Sequence, residues 1–426
     1  MAEKKAEKEV LKQAVFFEEK VKNELCIDSN IRFAEFIDRW LTDYAEPNLK
    51  VRTVAHYRDY SKRIIESLGH VRLDRIKPMM LISFYNQLQE PIRENTYRIK
   101  RPLTEVMEKS GFTLESLSKE AGVSIYKLRC LKKKEPVTRK IAQGIAEAVG
   151  IPLNTLFEKE IREHTLSPKT IQNYHRLISS ILSTAVDWQV IPYNPADRVS
   201  VPKAPRKEAA YLEEEDVVRL LDELQKEDVQ FRAAITTLLF TGMRRGELLG
   251  LQWKDIDFSH KLISIERSAL YEPGKGIYID TPKTQGSIRT IRIPEAVLTV
   301  LGEWKEEQRL IREYDPENWV DNDWVFTRVD GQLLYPDYLS ERFRKFVVKA
   351  GLPPVHLHSL RHTNASLLIA NGTNIQTVAS RLGHASTNVT GQIYSHAIRR
   401  ADAAASDMLE QLLLGRYPET SEEGGE

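Results

Sequence analysis

The chain has 426 residues, with 62 lysines and arginines against 61 aspartates and glutamates, 41% apolar residues and two cysteines. At roughly 100–200 residues per domain, that length predicts two to four domains, each able to bury its own core. Cys26 and Cys130 are too few for a disulfide scaffold or a cysteine-rich zinc domain and fit a reducing cytosol. No apolar stretch approaches the roughly 18 residues of a membrane span, and the charged start from Met1 to Val10 is no signal peptide, so a soluble intracellular protein is expected.

The near-zero net charge conceals an asymmetry. Residues 1–207 hold 37 basic and 27 acidic side chains, whereas residues 208–426 hold 25 and 34. A basic half joined to an acidic half suggests that one part meets a polyanion. The acidic half contains an exception: the sixty residues between Glu341 and Asp402 lack any acid while holding eight lysines or arginines and five of the ten histidines. This pattern reads as an anion-binding island.

In chain order, residues 1–30 read as a charged helix. Asp28 and Ser29 offer N-caps to a second helix, whose Phe33, Phe36, Ile37, Trp40, Leu41 and Tyr44 follow the 3.6-residue period. Helices follow over 51–68, stopped at Gly69, and over 78–88, opened by Pro78. A similar long helix returns at 168–188. Between them, 91–163 reads as a separate unit with helical periods at 103–110, 113–121, 124–132 and 139–149.

The joint Ala121-Gly122-Val123-Ser124 places glycine in a short turn between two helices, as a helix-turn-helix requires. Arg98 to Lys140 carries twelve basic residues against five acids. Tyr126, Lys127, Arg129, Lys132, Lys133 and Lys134 cluster on or just after the second helix, where they could reach bases and phosphates. The alternative is a small helical bundle for protein contacts. The segment resembles the phage-repressor-like helix-turn-helix family, down to its closing Ile151-Pro152-Leu153-Asn154-Thr155-Leu156-Phe157.

A proline-punctuated linker over 200–207 coincides with the change of charge sign. Helices are then expected over 213–225 and 229–241, β runs over 262–270, 276–280 and 288–293, and helices for the remainder. The acidic end, 419–426, reads as disordered.

Two windows carry most of the chemistry. One is Thr241-Gly242-Met243-Arg244-Arg245-Gly246-Glu247-Leu248. The other runs from His358-Ser359-Leu360-Arg361-His362-Thr363 through Leu382-Gly383-His384 to Ile393-Tyr394-Ser395-His396. Arginines, histidines and a tyrosine without carboxylates suit a phosphodiester: guanidinium forks match its non-bridging oxygens and oppose the charge of a phosphorane. Neighbouring cations would bring a tyrosine of ordinary pKa into nucleophilic range. His358 and His362, at i and i+4, could begin a metal site, but the acid-free island argues against one.

At these residues the sequence resembles the tyrosine recombinase (phage integrase) family, over about 30–90 and 164–415. Arg244 stands in the T-G-x-R box, His358 and Arg361 in H-x-x-R, followed by L-G-H and the I-Y-S-H tyrosine. Leu166-Ser167-Pro168-Lys169-Thr170-Ile171 and Asn194-Pro195 match the family's core-binding domain. The resemblance implies a mainly α, multidomain fold: a SAM-like helical core-binding domain (31–90 plus 164–199), interrupted by the helix-turn-helix unit (91–163), then the linker and a mixed α/β catalytic domain (208–415) with a small antiparallel sheet, leaving 416–426 as tail.

It also implies roles. Tyr394 would attack the scissile phosphate to give a 3′-phosphotyrosyl link and a free 5′-hydroxyl. Arg244 and Arg361 would hold the non-bridging oxygens, His384 would donate a hydrogen bond, Lys283 would protonate the leaving oxygen, His358 would act as acid or base, and Glu247 would buttress the site. Lys169 and the basic cluster of the insert would contact DNA. Neither cofactor nor metal is implied. Implied partners are double-stranded DNA attachment sites, three further copies in a synaptic tetramer, and a directionality factor or DNA-bending protein; the setting is the bacterial cytoplasm and nucleoid, away from membranes. The last helix, with Met408, Leu409, Leu412 and Leu413, would dock on a neighbouring subunit or on its own domain. Many relatives begin with a β-rich arm-binding domain that residues 1–30 do not resemble; the insert is a candidate replacement, contacting further DNA or a partner. The rival readings are a type IB topoisomerase and a non-catalytic DNA-binding regulator.

Overall fold

The computed structural model describes residues 30–203, 205, 210–272, 276–280, 288–384 and 387–414. The chain divides between Pro205 and Arg206 into two compact units. The helix expected before Asn30 and the acidic tail lie outside the described residues.

The first unit is built on α1 (Phe33–Arg39), α2 (Val51–Leu68), α3 (Pro78–Gln89) and α9 (Pro168–Asp187). Phe33 is preceded by Arg32 as N-cap, so this helix starts later than Asp28 and Ser29 suggested. It continues through a π-helical turn, Trp40–Ala45. The first three helices bury Phe36, Trp40, Ile64, Leu81 and Phe84 against Ile171, Leu177, Ile178 and Ile181 of α9. Trp40 donates its indole N–H to Thr184 Oγ1 at 2.9 Å, tying segments 144 residues apart. A helix beyond the insert thus completes the core of the helices before it.

The insert leaves and returns along a feature that periodicity does not reveal. β1 (Ile92–Ile99) pairs antiparallel with β3 (Phe157–His164) in full register, Ile92 opposite His164 and Ile99 opposite Phe157. Arg93–Glu163 and Arg98–Glu160 ion pairs, at 2.6 and 2.5 Å, cross the ribbon. Half of its residues are charged and more than half are exposed, so the two-residue apolar alternation that marks a half-buried strand is lacking. A short β2 (Val137–Thr138) adds to β1.

Beyond the ribbon come α4 (Leu103–Ser110), α5 (Leu114–Ala121), α6 (Ile125–Lys132), α7 (Arg139–Ala148) and α8 (Leu153–Leu156) around a separate core of Leu103, Val106, Leu117, Leu128, Leu131, Ile145 and Phe157. Gly122 ends α5 with φ +63, a left-handed conformation that L side chains resist, and the Ser124 side chain then accepts from the Lys127 amide to cap α6.

The second unit surrounds α11 (Val229–Thr241), which is buried on almost every side and packs against α13 (Glu295–Tyr314) and α15 (Leu357–Ala370). Further helices are α10 (Glu214–Leu224), α12 (Arg245–Leu249), α14 (Pro336–Lys349), α16 (Ile375–Leu382), α17 (Thr387–Ile393) and α18 (Ser395–Leu414).

The expected single sheet is two. β4 (Ile256–Asp257), β5 (Leu262–Ile265) and β8 (Arg289–Arg292) form one antiparallel sheet in the order β4-β5-β8, while β6 (Ser268–Glu272) pairs with β7 (Gly276–Asp280) in another. The apolar run 262–270 therefore breaks at Glu266–Arg267. There the Arg267 guanidinium turns inward to the buried Asp255, and the chain leaves one sheet for the other.

Candidate active site

Helix ends assemble the cation cluster. α11 stops at Gly242, whose φ of +64 requires glycine; a Cβ there would also lie 2.6 Å from Leu382 Cδ2 and 2.9 Å from Asn364 Oδ1. The Gly242 carbonyl accepts from Arg361 Nη1 at 2.8 Å, and the Leu382 carbonyl accepts from Arg361 Nη2 at 2.8 Å. Arg361, 2% exposed on α15, thereby joins the turn after α11 to the turn after α16. Burial first, and then Arg244, push its pKa down to about 10, so it remains cationic at neutral pH.

Arg244 caps α12. Its amide donates to Glu247 Oε2 at 2.9 Å and its Nη1 to Oε1 at 2.7 Å. Glu247 is buried and also accepts from Arg289 Nη2 at 2.8 Å. Burial alone would raise the Glu247 carboxyl, but Arg289 and Arg244 hold it below the usual range, so it is ionised. Two guanidiniums thus pair with one carboxylate, and Arg361 is near enough to feel its charge, a local positive excess suited to a phosphodiester. Arg245, next to Arg244 in the chain, turns away to the Pro336 carbonyl and Ser340 Oγ of α14 at 3.1 and 2.6 Å.

Tyr394 lies between α17 and α18, wholly buried, with its hydroxyl 3.0 Å from His362 Nδ1. Burial pushes its pKa up to about 12, although Arg361 and Arg244 pull the other way. Desolvation of the phenolate thus outweighs the neighbouring cations expected from the sequence to bring the phenol into range. His384 follows the left-handed Gly383 (φ +67), and its Nδ1 lies 2.7 Å from the buried Thr390 Oγ1. Burial, then Arg361, Arg244 and Arg289, lower its pKa to about 4. His358 is exposed on one side, but the protein packed behind it, with Arg361, His356 and Arg244, keeps its pKa below the ordinary value.

The His384 shift has a signed consequence. Between its ordinary 6.5 and about 4, the unfolded chain binds a proton that the folded site refuses, so stability rises with pH across that window. Urea midpoints are expected to fall as pH drops from 6.5 to 4, and His384→Asn to flatten the slope. Parallel slopes in the two proteins would contradict this.

The second unit therefore brings together Arg244, Arg361, His384 and Tyr394, with His358 edge-on to His362 at 4.8 Å between ring centroids. Lys283 lies outside the described residues. Among the described residues, no group of three or more histidine, cysteine or acidic side chains could hold a metal. In the first unit, Tyr126, Lys127, Arg129, Lys132, Lys133 and Lys134 are all exposed along α6 and just after it, and Lys169 is exposed in the first turn of α9.

Two residues escape a reading of the sequence alone. Arg289, on β8, reaches Glu247 and donates through Nε to the Arg381 carbonyl at 2.7 Å; a Cβ on Gly383 would meet its Nη1 at 3.0 Å. His362 stands in no catalytic position of the motifs, which suggests a structural role, yet it holds the tyrosine hydroxyl. The i, i+4 spacing of His358 and His362 is the available signal.

Residues 210–400 match the phage integrase family, and residues 32–89 match the phage integrase N-terminal SAM-like domain. The ICEBs1 integrase of Bacillus subtilis is 32% identical over 260 residues, covering 61% of this chain and 70% of that protein. The chain belongs to the phage integrase family of tyrosine recombinases. A XerC-like tyrosine recombinase of Caldanaerobacter subterraneus is 29% identical over 265 residues, covering 58% of this chain and 67% of its own. Among solved structures, the Tn1549 transposon integrase in complex with a circular intermediate DNA superposes with a TM-score of 0.61 at 20% identity, over 89% of this chain and 99% of that one, a likeness of fold. The ribbon-borne insert lies between the two family matches and belongs to neither. No described helix is long and apolar enough to cross a membrane.

Proposed function

We propose that this chain is a site-specific recombinase that cuts and rejoins duplex DNA at attachment sites, integrating and excising a phage or other mobile element. The observation that carries the reading is the convergence of Arg244, Arg361 and His384 around the buried Tyr394. Tyr394 attacks the scissile phosphorus, the two arginines hold its non-bridging oxygens, and His384, neutral at pH 7, adds a hydrogen bond. His358 assists as acid or base, and Lys283 protonates the departing 5′-oxygen. Because transesterification keeps the bond energy in the phosphotyrosine, the reaction requires neither ATP nor a metal.

In this reading, residues 31–90 with 164–199 form the core-binding domain, using Lys169 on phosphate, and 208–415 the catalytic domain, joined by the 200–207 linker, and both contact DNA. Four copies form the synapse. Met408, Leu409, Leu412 and Leu413, all exposed on α18, provide an apolar face for a neighbouring copy. The enzyme acts in the bacterial cytoplasm, on the nucleoid, with a directionality or DNA-bending factor as partner.

The insert, 91–163, contacts further DNA through the exposed end of α6. If Lys132, Lys133 and Lys134 each neutralise a phosphate, the triple alanine variant is expected to reduce the salt dependence of log K by about 0.9 for every phosphate left without its lysine. An unchanged slope would leave the insert to protein partners. The function itself is tested with a supercoiled plasmid carrying two copies of the junction DNA that flanks the gene. A recombinase yields recombinant circles, whereas a type IB topoisomerase yields relaxed parental plasmid only.

A further inference from the structure

Tyr394 must lose its proton to become a nucleophile, and its surroundings obstruct that loss. The ring is wholly buried, in a cluster with Ala365, Ile369, Val378, Leu382 and Ala397, so the proton has no direct path to bulk water. With the phenol held at about 12, roughly one molecule in 10⁵ would carry the phenolate at pH 7. A base in contact with the hydroxyl removes that obstacle.

His362 is in contact. Its Nδ1 lies 3.0 Å from the Tyr394 oxygen, within the range in which a general base works. Helix α15 fixes the ring, because Arg361 beside it is anchored to the Gly242 and Leu382 carbonyls and His358, one turn earlier, packs edge-on at 4.8 Å and 89°. By contrast, His358 lies at the exposed entrance of α15.

We propose that His362 is a catalytic residue of strand cleavage, its Nδ1 taking the Tyr394 hydroxyl proton as the phenolate oxygen attacks phosphorus. The inference rests on the recombinase reading above. The O–H bond of Tyr394 breaks and an N–H bond forms on His362. The Tyr394 O–P bond forms as the P–O5′ bond breaks, and the departing oxygen keeps the electron pair and receives a proton from the acid assigned to Lys283. Ligation runs the same steps backwards, with the imidazolium returning its proton to the departing phenolate. Proton transfer within the pair leaves the site's charge unchanged, and the negative charge of a bound phosphodiester offsets Arg244 and Arg361, which otherwise oppose an imidazolium.

The rival role is a hydrogen bond that only orients the tyrosine. The two roles separate in single-turnover formation of the SDS-resistant adduct by the full-length chain, on a nicked duplex of the DNA flanking its gene, with oxygen or sulfur at the 5′-bridging position. H362F is expected to lower the rate by about 10²–10⁴-fold with both leaving atoms, with gel-shift affinity within about threefold of the parent. H362Q, whose amide can accept the hydrogen bond but not the proton, is expected to be equally slow, and added imidazole to restore part of the rate to H362A. K283A is expected to recover on the sulfur substrate, because a thiolate leaves without a proton, whereas H362F does not.

An adduct-forming parent matched within about threefold by H362Q would overturn the assignment, as would recovery of H362F on the sulfur substrate or H362A unmoved by imidazole. If H362F fails to fold by circular dichroism, H362Q and the imidazole titration decide. A parent that binds this DNA yet forms no adduct would overturn the recombinase reading, and this proposal with it.

Discussion

Replacing Tyr394 with phenylalanine is expected to lower adduct formation by at least about 10⁴-fold, because no other group takes over a covalent nucleophile's bond to phosphorus. The rest of the protein should barely respond. The phenylalanine ring fills the same space among Ala365, Ile369 and Leu382, and the removed hydroxyl gives up its hydrogen bond with His362. Losing one such hydrogen bond costs about 1 kcal/mol, which urea denaturation would read as a small shift in midpoint. DNA affinity should stay within about threefold of the parent. A regulator that used only its DNA-binding surfaces would also keep its affinity, but its parent form would leave no adduct for the variant to lose.

Substitutions at Arg361 are expected to have the next largest effects, on two properties at once. Arg361→Lys keeps a charge but loses the planar fork, so one ammonium cannot reach both carbonyls and also present N–H groups to a phosphate. Its cleavage rate is expected to fall by about 10²–10³-fold, the scale of losing one donor to developing transition-state charge. Arg361→Ala should fall further and also unfold more easily. The Gly242 and Leu382 carbonyls lose the guanidinium that donates to them at a site 2% exposed, at about 1–3 kcal/mol each. Part of that loss is returned because the alanine buries no charge, and the lowered pKa of Arg361 shows that its burial is itself unfavourable. A net destabilisation of about 2–3 kcal/mol is therefore expected from urea midpoints. An Arg361→Ala variant that cleaves within tenfold of the parent would remove Arg361 from the chemistry.

What can be read from the sequence follows the range of the forces involved. Local periodicity predicts α2 at its observed bounds, Val51–Leu68, and the glycine turn before α6, because helix period and left-handed glycine are properties of short segments. The T-G-x-R and H-x-x-R windows name residues that the fold gathers, since each lies at a helix end where a short motif fixes direction. The β1–β3 ribbon stays hidden because its strands hold together mainly by backbone pairing between segments about 65 residues apart, with charged side chains outside. Arg289 is equally illegible: on a short strand it reads as a solvent-facing residue, and only the arrival of Glu247 and the Gly383 turn makes it a buried partner. The sign of the Tyr394 shift escapes for a related reason. Sequence shows the neighbouring cations but not the complete burial that outweighs them.

The most direct test of the account is the identity of the covalent bond. The full-length protein is incubated with a nicked duplex of the DNA flanking its gene, denatured in SDS, digested with protease and nuclease, and the modified peptide is identified by mass spectrometry. The account predicts a 3′-phosphonucleotide on Tyr394 and a free 5′-hydroxyl on the released strand. A bond to another residue, attachment through the 5′ end, or no adduct from tightly bound DNA would contradict it.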